Sequence, residues 1–89
     1  MKLIQDTSIK INVTPGKLYR TKKDLWISRG LDEGKVFLVT NVEPDRYGRS
    51  AVISFLVGLE EIHVPFSIDH GEKIYSIGSW VDSFLEEYK

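Results

Sequence analysis

Cysteine is absent from this chain of 89 residues, which excludes disulfides, thiol nucleophiles and thiolate metal sites and ties the protein to no oxidising compartment. Histidine is scarce as well: only His63 and His70 are present as side chains suited to acid–base work at neutral pH. No long apolar run occurs. The longest, Ala51 to Leu59, is interrupted by Ser54 and Gly58 and falls far short of the ~20 residues a spanning helix needs. The opening MKLIQDTSIK reaches Gln5 and Asp6 after two apolar residues, so it lacks the apolar stretch of a secretory leader. These absences give a cytoplasmic placement without a membrane as the expectation. Strong net charge is missing too, at −1, while 42% hydrophobic and 28% charged residues are ordinary globular values that argue against disorder.

What is present is a β pattern. KVFLVTNVE and AVISFLV are two strand-like runs joined by the turn-rich PDRYGR, the signature of a hairpin. In the first run Val36, Leu38, Thr40 and Val42 form one nearly apolar face, and Phe37, Val39, Asn41 and Glu43 form another that begins apolar and ends polar. Strands apolar on both sides belong in a barrel or sandwich. Further on, Ile62, Val64, Phe66 and Ile68 alternate with His63, Pro65, Ser67 and Asp69, and Pro65 marks that run as an edge strand. Before Pro15-Gly16, Ile9, Ile11 and Val13 show the same alternation. Leu18 to Arg20 and Leu25 to Ile27 read as short extended pieces flanking TKKD. Asp69-His70-Gly71-Glu72 reads as a turn, and Lys73 to Ile77 as a further strand.

The tail changes period. Ser79 offers an N-cap with Asp82 three residues on, and Trp80, Val81, Phe84, Leu85 and Tyr88 recur at helical spacing, so the pattern predicts a helix over 79–88. At 1.5 Å per residue it would be about 15 Å long, too short to stand alone, and its apolar stripe must plug one end of the β domain. The expectation is one domain over 1–89: mainly β, a small antiparallel barrel of five to six strands over 1–78, with the short C-terminal helix over 79–88.

With PGKLYR opening a strand, GKVFLVTNVE running into a long turn, and the paired AVISFLVGLEEIHVPFSI, the chain resembles, at fold level, the SH3-like small barrels found in translation, chromatin and bacteriophage proteins. These features cover about half the chain. The short chain also looks like a small bacteriophage accessory protein, which implies a viral protein acting in the host cytoplasm through a host or virion partner.

Catalysis has little to stand on. No G-x-S-x-G elbow occurs, His63 lies on the polar phase of its strand, and His70 sits in a turn beside Asp69, so both read as solvent-exposed side chains. A metal site from His63, Asp69 and His70 would match no established spacing, and Glu60 and Glu61, adjacent on a strand, point to opposite faces. No cofactor and no enzymatic activity are expected.

Charge is unevenly placed. Residues 17–29 carry five cations against Asp24, a local +4, and residues 58–89 carry seven carboxylates against two lysines, a local −5. Lys17, Tyr19, Arg20, Lys22, Lys23 and Arg29, with the loop at 44–49, form the basic and aromatic combination with which small barrels bind nucleic acid. A solvated surface gives the same pattern, and Trp26, between Leu25 and Ile27, is expected in the core. The leading reading is a non-enzymatic protein-binding module contacting its partner through Arg46, Tyr47 and Arg49, because tyrosine and arginine on a loop are favoured interface anchors. Edge pairing or helix docking could also build a homodimer.

Overall fold

Alternating apolar residues become five antiparallel strands in a computed structural model that describes residues 11–47, 49–68 and 77–89. They are β1 (Leu18–Thr21), β2 (Val36–Pro44), β3 (Ser50–Val57), β4 (Glu60–Ser67) and β5 (Leu85–Glu87), with one α-helix among the described residues, α1 (Ile77–Asp82), before β5. The strands form one sheet in the order β4-β3-β2-β1-β5. Among the described residues β4 and β5 share no ladder, so the sheet is mainly antiparallel β with two free edges.

The β3–β4 hairpin follows the alternation closely. Ile62, Val64 and Phe66 are buried, while Glu61, His63, Pro65 and Ser67 are exposed. Val57 pairs with Glu60, so the turn is the two residues Gly58-Leu59. Gly58 takes φ +65 and is the first central residue, where a II′ turn demands the left-handed region. β4 is an edge strand, as Pro65 implied.

β2 is where simple alternation fails. Phe37 and Val39 point into the core, but the register with β3 slips between Val39 and Asn41, leaving Thr40 as the extra residue of a bulge. The slip reverses the phase. Val42 rather than Asn41 then packs against the core, so both apolar stretches of the strand serve one interior.

The C-terminal expectation needs correction. α1 ends at Asp82, and residues 85–87, expected to be helical, pair with β1 instead as Tyr19↔Glu87, Arg20↔Glu86 and Thr21↔Leu85. The physical reason is the open side of β1, whose backbone groups gain partners: Lys22 N–H donates to the Phe84 carbonyl at 2.7 Å and Tyr88 N–H to the Leu18 carbonyl at 2.9 Å. Helix propagation over so few residues cannot outweigh that. Ser79 lies within the helix rather than at its cap.

Leu25 to Ile27 is likewise not a strand. Trp26 and Leu31 make one antiparallel pair, and Ile27–Arg29 form a single 3₁₀ turn that Gly30 closes at φ +88. The loop is tied down by Thr21, whose hydroxyl donates to the Asp32 carbonyl at 2.6 Å and accepts from Lys35 N–H at 3.1 Å. At 11–14 the alternation persists without a ladder, Val13 being buried and Asn12 and Thr14 exposed. Residues 9 and 10, the turn at 69–72 and the strand expected over 73–77 up to residue 76 lie outside the described residues.

The core holds Leu31, Val39, Ile53, Phe55, Ile77 and Val81, all fully buried, with Phe37 and Phe55 edge-to-face at 6.2 Å. α1 touches both β4 and β5. Phe66 of β4 meets Phe84, just ahead of β5, at 5.5 Å, and Trp80 of α1 meets Phe84 at 5.3 Å. Aromatic rings thus fill the gap between the two edges of the sheet.

Candidate functional site

The basic segment does not form one open stripe. Lys17 pairs with Glu87 at 3.6 Å, Arg20 stacks on the Tyr88 ring at 5.2 Å, Lys22 donates to the Asp82 carbonyl at 2.9 Å, and Lys23 lies over the Phe84 ring at 5.0 Å. Four of the five cations therefore face the acidic C-terminal segment. Pairing β1 with β5 is what places them there, and the two charged segments of the sequence partly cancel locally. Arg29 is separate, stacked on Trp26 at 5.4 Å and 3.8 Å from Glu60.

Tyr19 cannot serve as a platform for a base. Its ring is buried in the core, and its hydroxyl accepts from Thr14 N–H at 2.7 Å. Trp26 departs from expectation in the opposite direction. It is 39% exposed rather than core, because the 3₁₀ turn that follows it lifts it off the sheet beside Ile27, itself largely exposed.

Around Trp26 lies a shallow cleft of about 270 Å³, lined by Leu25, Trp26, Val64 and Pro65. One wall comes from the β1–β2 loop and the other from edge strand β4. Only the alternation at Val64-Pro65 hinted at it, since the loop's approach to β4 is a matter of three dimensions. The backbone at Trp26 is held by its pairing with Leu31, where the Trp26 backbone N–H donates at 3.0 Å and the Trp26 carbonyl accepts at 3.1 Å, and Arg29 lies over the indole.

The β2–β3 tip presents an aromatic side chain. Tyr47 is 76% exposed, its N–H donates to the Asp45 carboxylate at 3.0 Å, and Arg46 lies 5.9 Å from its ring. Arg49 turns back instead, with Nη2 donating to the Ile68 carbonyl at 3.4 Å. The tip therefore brings together Arg46 and Tyr47, and Arg49 bonds to the end of β4.

One pair of chemical interest was missed. Ser54 Oγ lies 2.7 Å from His63 Nδ1 across the β3–β4 ladder. Hairpin arithmetic reveals it: a two-residue turn at 58–59 puts 54 opposite 63. Ser54 is 1% exposed and sits mid-strand, so its oxygen has no open approach for a substrate carbonyl, and the pair is a cross-strand hydrogen bond. Among the described residues no three acidic or histidine side chains gather as metal ligands; Asp69 and His70 lie outside them. No helix among them is long and apolar enough to cross a membrane. Neither a family model, nor a curated protein, nor a solved structure matches this chain.

Proposed function

We propose that the chain is a non-enzymatic protein-interaction module, an SH3-like small barrel in build, whose main contact surface is the Trp26 cleft and whose second contact is the Arg46-Tyr47 tip. The observation that carries this reading is the position of Trp26. Its indole is partly exposed on a backbone anchored to Leu31, stacks with Arg29, and opens beside Ile27 onto an apolar cleft that would accept one or two side chains of a partner. Exposed apolar side chains around a concavity usually mark a contact site, and tryptophan and arginine are the strongest anchors in such sites. The barrel reading draws support from α1 and the Phe66, Phe84 and Trp80 rings, which bring the two sheet edges together without a ladder. If the protein serves a phage, the partner is a host or virion protein.

Nucleic acid is the weaker reading, since Tyr19 is buried and most of the cations already face carboxylates, carbonyls or rings. The test is recovery of bound protein by immobilised wild type, Trp26→Ala and Ile27→Ser, with thermal melts alongside. A partner held by wild type and lost by both variants at unchanged melting temperature is the expected result. Recovery indifferent to both changes would count against the cleft.

A further inference from the structure

The outer face of the sheet carries a second feature, independent of the cleft. Cross-strand partners share a face, and the register aligns Leu18, Leu38, Leu56 and Glu61 in one row across β1 to β4, with Tyr88, the residue after β5, bonded beside Leu18 at its end. Val36 and Arg20, opposite each other one pair along, flank it. Leu18, Val36, Leu56 and Tyr88 are each between 37% and 43% exposed, although the sheet interior already has its own complete apolar face. Among the described residues, the other exposed large apolar side chains, Trp26, Ile27, Tyr47 and Leu59, lie in loops and turns.

From this row we infer that the face takes a second copy of this chain, related by a two-fold axis passing near Leu38. The argument is self-complementarity. Strands ~4.8 Å apart put the ends of the row ~19 Å from each other. One end is cationic and aromatic, with Arg20 stacked on Tyr88; the other is Glu61, which accepts from the Thr40 hydroxyl at 2.6 Å. Glu86 lies opposite Arg20 in register and leaves its guanidinium turned onto Tyr88. Reversing the row about Leu38 sets Leu18 on Leu56 of the second copy, and Arg20 with the Tyr88 hydroxyl on Glu61 of the second copy. An isologous contact requires a patch of this kind, apolar at its centre with opposite polar ends. Direct edge pairing suits this chain less well, because Pro65 removes a donor from β4 and β5 is only three residues long.

Sedimentation over a concentration series tests the inference on the full chain. The mass is expected to rise from 10.2 kDa toward twice that value, and Leu56→Lys is expected to hold it at the lower value at unchanged melting temperature. Arg20→Glu and Glu61→Arg should each weaken the dimer roughly tenfold, and the double charge swap should restore it. Trp26→Ala should leave the dimer intact, which separates this face from the cleft. A monomer at all concentrations would overturn the inference. So would a dimer that survives Leu56→Lys, or a charge swap without rescue.

Discussion

Phe66 and Phe84 meet edge-to-face at 5.5 Å with their planes 73° apart, one on edge strand β4 and the other immediately before edge strand β5. They link the two ends of a sheet that no hydrogen bonds close among the described residues. Phe66→Ala is expected to lower unfolding free energy by about 3 kcal/mol, and Phe84→Ala, half-buried, by about 2 kcal/mol. In a double-mutant cycle followed by urea denaturation the two should couple by about 1 kcal/mol. Strict additivity would show that the rings do not join the edges.

Thr21 bonds through its hydroxyl both to the Asp32 carbonyl and to Lys35 N–H. Thr21→Val keeps the shape but places an apolar group against those partly buried partners, so a loss of about 1 kcal/mol is expected, with Thr21→Ser much closer to wild type. Chemical denaturation of the two variants decides it. Equal stability of valine and serine at this position would remove the hydroxyl's role.

Gly58 has open space where a Cβ would sit, yet its φ is +65. The cost of Gly58→Ala is therefore conformational alone, about 1 kcal/mol, and Gly58→Val should lose more because a β-branched side chain tolerates positive φ least. The measurement is the denaturation midpoint of each. An alanine variant as stable as wild type would mean the turn readily changes type.

Tyr47→Ala is expected to leave the melting temperature unchanged and to reduce partner recovery, since the ring is almost free of its own domain. Arg49→Ala should instead cost about 0.5–1 kcal/mol, because its guanidinium bonds to the Ile68 carbonyl. Thermal melts separate the two. A destabilised Tyr47→Ala variant would assign that ring a packing role.

Single-stranded DNA is expected to show no capture that falls steeply with salt, and the triple change of Lys22, Lys23 and Arg29 to alanine should make no difference. Those cations are engaged with the Asp82 carbonyl, the Phe84 ring, and Trp26 with Glu60. A steep slope abolished by the triple change would reinstate nucleic acid as the ligand.

Where one local period governs a segment, the sequence was readable. Ile62 to Phe66 alternates without interruption, and its proline correctly placed it at an edge. β2 was harder because Thr40 adds a residue, and an inserted residue reverses every later side chain while leaving composition untouched. The tail misled for a different reason: Val81 and Leu85 are four apart and suit a helix, but the backbone vacancy beside β1 is invisible until the sheet exists. Trp26 was expected inside because its neighbours are apolar, and a 3₁₀ turn of three residues leaves no periodic trace. Of the candidate site, the Tyr47 tip was legible from turn chemistry; the cleft was not, since its walls are joined only by folding.

Pro65 bears on how copies of this chain can accumulate. Among the described residues, a β4 rim lacking one amide proton, opposite a rim of three residues rich in glutamate, offers a poor template along the hydrogen-bonding direction. Growth strand upon strand into fibres is disfavoured at both margins, whereas the two-fold stacking inferred for the outer face would close at two copies.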